Sequence, residues 1–386
     1  MNLFETDNTY VASTYARFPI EIASGKGALV YDGNHKEYID LGTGIAVNTF
    51  GACDEEWIAA VTQQLHTVQH TSNLYYSSPC VRLAEQLCLR TGMKKVFFSN
   101  SGAEANECAI KAARKYASKK KGAEVYTILT LVNSFHGRTI TTLSATGQDS
   151  FHKLFTPMTP GFVHAPANDL EAVRKIADEI PLAGIMFEAV QGEGGVNPLT
   201  PEFVSGIAKI AAEKDIILIA DEVQCGNGRT GMLYGYMNYG ITPDVFSTAK
   251  GLGGGLPIGA TVLGEKLATV FAPGDNGSTF GGNPVSCAGA LNVLSRLDEA
   301  MLAGVRERSQ MIFDALTGAP GVKSVSGLGL MIGVETEKPA GDVIAACRDM
   351  GVLVIKAKNK VRLLPPLNIP KDLLARALEV LKKACC

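Results

Sequence analysis

Over most of the chain, short continuous apolar runs alternate with segments of helical period, the pattern of strands buried on both faces with helices between them. Two runs carry an ionisable residue at their end. IILIA (216–220) runs into Asp221, and VFSTA (245–249) runs into Lys250 just before a glycine-rich loop. Read as strands, both deliver a side chain to the edge at which open α/β sheets bind ligands. Further strands are predicted over 96–98, 125–132, 184–190 and 260–263, and helices near 54–69, 79–91 and 284–299. Upstream, KGALVYDGNHKEYIDL (26–41) sets two apolar runs around Asp32-Gly33-Asn34, a hairpin signature. Downstream, VKSVSGLGLMIGVE, a helix near 341–350, VLVIKA and VRLLPPL form a separate strand and helix group, expected to pack with the N-terminal segment.

A chain of 386 residues is long for one core. The expected division is an N-terminal segment (1–45) joining the small domain, a large domain (46–285) and a C-terminal small domain (286–386). Net charge is −2, and no basic run extends beyond Lys119–Lys121, which makes nucleic acid and anionic membrane poor partners. The N-terminal ten residues hold two acids and no apolar core, and no apolar run approaches bilayer-spanning length. A cytoplasmic protein is expected. Nine cysteines form no CxxC pair and no cluster with histidine, so neither a zinc site nor a disulfide framework is expected.

Taken alone, Asp221 and Lys250 are equally well a turn starter and a solvated strand end. Pyridoxal phosphate is the cofactor such a pair suits, since it needs an amine to link to and an acid beside its ring nitrogen. Ser101 opens a predicted helix with Glu104 three residues on, and Gly102 and Ala103 leave its first turn open, a ready site for a phosphate or simply a well-capped helix. Ser278 and Thr279, in GSTFGGN, add hydroxyls that suit the same phosphate or a plain loop. Competing motifs fail: 251–256 lacks the last glycine of GxGxxG, and neither GxxxxGK[ST] nor GxSxG occurs. His66 and His70 have ligand spacing, but Thr67 stands where HExxH needs glutamate, which favours a structural pair.

With NSGAEANE, SFHGRT, EAVQGEGG, ADEVQCGNGRTG, STAKGLGGGLPIGA and STFGGNP in this order, the chain resembles the class III, fold type I, pyridoxal-phosphate aminotransferases from about residue 15 to the LLPPL segment. The resemblance implies an α/β fold with a mainly parallel central sheet in a large domain and a smaller α+β domain built from both termini. It implies that Lys250 links the cofactor and moves protons, Asp221 faces the ring nitrogen, Gln224 donates to the phenolic oxygen and Phe135 stacks on the ring. Phe135 is also a plausible core aromatic. Ser101, Gly102 and Ala103 would take the phosphate, with Ser278 and Thr279 coming from the partner of a homodimer.

For substrates, the same resemblance implies carboxylate forks at Arg138 and Arg362. It pairs Glu193 with Arg362 when no dicarboxylate is bound, and sets Tyr15 near the carboxylate of an ω-amino acid. Ornithine δ-aminotransferases carry tyrosine where this chain has Gly44, so the chain looks like the type that moves the terminal amine of an N2-acylated ornithine to 2-oxoglutarate. Succinylated ornithine, ornithine itself and 4-aminobutyrate are alternative donors. The turn Gly51-Ala52-Cys53-Asp54-Glu55 departs from the family's usual GHxHP. An oxidoreductase is disfavoured by the broken GxGxxG, and an inactive structural paralogue by the presence of both Lys250 and Asp221.

Overall fold

The computed structural model describes residues 2–386. Its first strands, β1 (Ile22–Lys26), β2 (Leu29–Asp32) and β3 (Glu37–Asp40), form an antiparallel meander whose β2–β3 turn is the predicted one. Asp32 fastens that turn by accepting from the Asn34 and Lys36 amides.

A seven-stranded sheet follows, built from β4 (Lys95–Ser99), β5 (Thr127–Leu131), β6 (Phe162–Ala165), β7 (Leu182–Phe187), β10 (Ile217–Asp221), β11 (Val245–Thr248) and β12 (Gly259–Leu263). The short pair β8 (Val190–Gln191) and β9 (Asn197–Pro198) stands outside it as a hairpin. The order is β4-β12-β11-β10-β7-β5-β6, with only β12 running antiparallel to its neighbours. Every residue of β7, β10, β11 and β12 is buried, as continuous apolar runs covered on both faces require. One cover is the helix Gly102–Lys121, whose buried face is mostly alanine (Ala105, Ala109, Ala112, Ala113) and so approaches the sheet closely. The helix Pro201–Glu213 packs Phe203, Val204 and Ile207 into the main core cluster.

Beyond it, β13 (Val322–Leu328), β14 (Met331–Thr336), β16 (Ile355–Ala357) and β17 (Lys360–Leu363) make an antiparallel sheet, while β15 (Val352–Leu353) pairs in parallel with β3. The C-terminal group is thus joined to the N-terminal meander through backbone hydrogen bonds. Differences from the sequence reading are local. The first predicted helix stops at Leu65, the helix predicted over 284–299 is Pro284–Arg296, and a second one, Glu299–Leu316, follows after the Asp298 cap. Strand β6 lies outside the strands that the sequence predicts.

Candidate active site

Because β4, β5, β7, β10 and β11 all point the same way, their carboxyl ends share one edge, and the segments leaving that edge line a cavity of about 410 Å³. Asp221 closes β10 and is 3% exposed. Its Oδ2 accepts from Asn106 Nδ2 at 2.8 Å and lies 2.7 Å from His136 Nδ1, and its Oδ1 accepts from the Val223 amide at 3.0 Å. A carboxylate gripped from three elements has little freedom to turn.

Lys250 follows β11 and takes a positive φ of 46°, unusual outside glycine. The surroundings over-determine this turn: Thr49 donates to the Gly251 carbonyl at 2.8 Å, and Asn227 donates to the Ala249 carbonyl at 3.1 Å. The amine is thereby aimed into the cavity. Burial pushes its pKa below the ordinary lysine value of 10.5, while the neighbouring Glu193 opposes the shift.

At the other end of the cavity, Ser101 caps the helix Gly102–Lys121 by accepting from the Glu104 amide at 3.2 Å. The Gly102 and Ala103 amides belong to the first turn and have no intrahelical acceptor. Glu104 departs from the capping-box geometry, since its carboxylate takes the Asn100 amide and the Ser101 hydroxyl. A Cβ built on Gly102 would lie 2.6 Å from Val223 Cγ1, so a side chain here would force Val223 to shift. Phe135, half-buried, lines the cavity and meets Phe151 edge-on, with the Arg138 guanidinium over both rings.

Arg362 arrives on β17 and is 2% exposed. Its Nη1 donates to Glu193 Oε1 at 2.6 Å and to Gln224 Oε1 at 3.0 Å. Burial alone would raise the Glu193 pKa, but the adjoining guanidinium outweighs it and holds the carboxyl below its ordinary value. Gln224 Nε2 faces Glu193 Oε1 at 3.5 Å, so the amide touches both members of the pair.

Lys250, Asp221, Phe135, Gln224, Arg138, Ser101, Gly102 and Ala103 all line this one cavity, and Glu193 and Arg362 adjoin it through Gln224. Three expected residues are not brought there within a single chain. Ser278 and Thr279 line a separate cavity with His70 and Asn73, although Ser278 Oγ accepts from Asn100 Nδ2 at 3.2 Å. Tyr15 is 73% exposed and lines a larger cavity, of about 880 Å³, together with Gly44 and Ile45. The reason is common to all three: they sit on segments outside the sheet edge that gathers the others.

Sequence reasoning missed His136, Asn106 and Glu188. His136 follows Phe135 directly, and Asn106 lies one turn along the helix from Gly102, so their positions beside chosen residues were the available signal. Glu188 is buried beyond β7, accepting from the Phe135 amide at 3.0 Å and from the Gly192 amide at 3.3 Å. Burial pushes its pKa well above the usual carboxylate range.

No group of three or more His, Cys, Asp or Glu side chains among the described residues is placed to hold a metal ion. The site joins a buried carboxylate, a desolvated amine and a helix N-terminus across one cavity. The cradle left by Gly102 and the unbonded amides fits a phosphate, and the Asp221 carboxylate at the far wall fits a protonated ring nitrogen.

The aminotransferase class-III family model matches residues 10–385. The acetylornithine aminotransferase of Haemophilus ducreyi is 49% identical over 379 residues, which cover 98% of this chain and 96% of that protein. The acetylornithine aminotransferase of Bacillus subtilis is 43% identical, with 96% of each covered. Among solved structures, the N-acetylornithine aminotransferase of Stenotrophomonas maltophilia superposes with a TM-score of 0.86 at 33% identity, covering 99% of this chain and 98% of that one. An ornithine aminotransferase of Toxoplasma gondii with pyridoxal phosphate at partial occupancy in its active site gives a TM-score of 0.94 at 31% identity, covering 99% and 93%. A family match over nearly the whole chain, together with relatives up to 49% identical along almost its full length, shows that this chain belongs to the class-III aminotransferases.

Proposed function

We propose that this protein is a pyridoxal-phosphate-dependent aminotransferase that moves the terminal amine of N2-acetylornithine to 2-oxoglutarate, giving N-acetylglutamate 5-semialdehyde and glutamate in arginine biosynthesis. The observation that carries the reading is the convergence of Lys250, Asp221 and the Gly102 helix terminus on one cavity. Bound pyridoxal phosphate supplies an electrophilic carbon for the amine and a ring that accepts the electron pair left when a substrate C–H bond breaks.

The chain's own residues do the rest. Asp221, held by His136, Asn106 and the Val223 amide, keeps a positive charge favourable at the ring nitrogen. The Lys250 amine, with a pKa lowered by burial, carries the proton to and from the reacting carbon. The Gly102 and Ala103 amides would hold the phosphate, and Phe135 and Val223, which line the cavity, would flank the ring. Arg138 takes the far carboxylate of either substrate. The acylornithine donor brings an apolar chain past Arg362, whereas 2-oxoglutarate brings a carboxylate. A bare buried guanidinium facing a methylene chain is costly. Glu193 therefore covers Arg362 in the first half-reaction and yields it in the second.

The acetyl group needs room, and the missing side chain at Gly44 accords with it: a Cβ there would stand 3.8 Å from Val47, which lines the Lys250 cavity. A homodimer completes the site in this reading, with Ser278 and Thr279 of the partner subunit reaching the phosphate. Among the described residues no helix is long and apolar enough to cross a membrane, and a cytoplasmic location accords with that.

A donor panel tests the substrate. With 2-oxoglutarate fixed, kcat/KM should be highest for N2-acetylornithine, ahead of N2-succinylornithine, ornithine and 4-aminobutyrate. A clear preference for any other donor would replace the substrate while leaving the reaction class in place.

A further inference from the structure

Glu193 sits in the turn 192–196 of the β8–β9 hairpin, and that turn is held from below by groups with no contact to the cavity. Lys360, two residues before Arg362 on β17, donates from Nζ to Asn197 Oδ1 at 3.1 Å and to Ser326 Oγ at 2.8 Å. Asn197 Nδ2 in turn donates to the Gly194 carbonyl at 3.0 Å, one residue past Glu193. The Ser326 hydroxyl donates to the Val196 carbonyl at 2.8 Å. A closed ring results: Arg362 to Glu193, along the backbone to Gly194, through the Asn197 amide to Lys360, and back along β17.

The turn needs such support. Val196 is fully buried at a φ of 54°, and a β-branched residue in that region is strained unless its surroundings enforce it. Gly333 makes room for the arrangement, since a Cβ there would lie 2.8 Å from Val196 Cβ and 3.2 Å from Lys360 Cδ. With the Gly194 carbonyl tied to Asn197, the backbone at Glu193 is fixed where its carboxylate meets Arg362, so the network favours the covered state.

We propose that Lys360, acting through Asn197 and Ser326, is the positioning residue that holds Glu193 over Arg362 and so sets the balance between the ω-amine and dicarboxylate half-reactions. The inference rests on the Glu193–Arg362 exchange given under Proposed function. Losing the network's hydrogen bonds should shift that balance by roughly three- to tenfold, as one or two net hydrogen bonds do.

The test uses holoenzyme carrying Lys360→Met, Lys360→Arg, Glu193→Ala, and Lys360→Met with Glu193→Ala. Each is read by calorimetric affinity for glutarate, an unreactive dicarboxylate, and by single-turnover kcat/KM for each half-reaction. Lys360→Met should bind glutarate roughly three- to tenfold more tightly and slow the ω-amine half-reaction by a similar factor. Glu193→Ala should move both in the same direction and further, the double variant should match Glu193→Ala alone, and Lys360→Arg should stay near the parent. Equal losses in both half-reactions with glutarate affinity unchanged, or an effect of Lys360→Met that adds fully to Glu193→Ala, would overturn the clamp while leaving the exchange standing. No effect of Glu193→Ala on the balance would overturn the exchange itself, and the clamp with it.

Discussion

Gly102→Ala offers a steric test of the cofactor cradle. The added Cβ would stand 2.6 Å from Val223 Cγ1 and 2.9 Å from Cγ2, against carbon contacts of about 3.5–4.0 Å, an overlap of roughly 1 Å. Val223 cannot retreat far, because its amide is bonded to Asp221 and its single χ1 rotor is stiff. It lines the cavity, however, so in the apo-protein it can give way into open space. Overpacking of this kind costs about 1–3 kcal/mol. In apo-protein the change in unfolding free energy should therefore stay below about 1 kcal/mol, the remainder appearing when the ring claims the space Val223 has entered. Pyridoxal phosphate should then bind roughly ten- to a hundredfold more weakly, at about 1.4 kcal/mol per decade. Equilibrium titration of apo-protein by absorbance reads the affinity, and denaturant unfolding reads the stability. Adding Val223→Ala removes the methyl groups that clash and should restore most of the lost affinity. Unaltered affinity in Gly102→Ala, or a double variant as weak as the single, would show that this helix end and Val223 do not bound the cofactor.

Three further outcomes follow from the same geometry. Lys250→Met should abolish turnover and the visible absorption of the lysine-linked cofactor. It should also flatten the apo-protein's pH profile, because a lysine whose folded pKa lies below 10.5 makes stability rise with pH towards that value, a slope that thermal melts would reveal. Asp221→Asn should slow the chemical step by several powers of ten, each costing about 1.4 kcal/mol of transition-state stabilisation, with single turnovers as the readout. Glu222, buried while accepting from the Gly235 and Tyr236 amides at 2.6 and 2.8 Å, has its pKa pushed by burial from 4.5 up to about 8. The folded state then binds the extra proton, so stability should fall as pH rises from 4.5 to about 8. Glu222→Gln should remove that slope in denaturant titrations across the range.

The sheet edge was legible because two continuous apolar runs each end in one charge. β10 and β11 do lie side by side in parallel, with Asp221 opposite Ser247. What escaped were features fixed by distant partners. His136 and Asn106 reach Asp221 only once the loop after β5 and the helix after β4 have docked, and nothing periodic in either segment announces it. Strand β6 is four residues at the sheet edge, none buried but Ala165, too short and too mixed to stand out. The stretch Thr43–Ala46 shows the limit from the other side. All four residues take positive φ, three of them non-glycine, and local propensity argues against it. Asp40 holds the entry by accepting from the Gly42 and Thr43 amides, and Thr43 donates to the Leu364 carbonyl at 2.6 Å, a contact 321 positions away. Ser278 and Thr279 suit a phosphate by their hydroxyls, and a single chain leaves them on another cavity because their loop belongs to no strand of that edge.

The central claim is transfer of the donor's terminal nitrogen to an oxo acid at the Lys250 and Asp221 cavity. N2-acetylornithine labelled with heavy nitrogen at its δ-amine, incubated with holoenzyme and 2-oxoglutarate, tests it directly by mass spectrometry of the products. The account predicts that the label appears in glutamate, one per semialdehyde formed, and that Lys250→Ala abolishes the transfer. Label recovered as free ammonia, label left in the donor, or transfer at the parent rate by Lys250→Ala would contradict it.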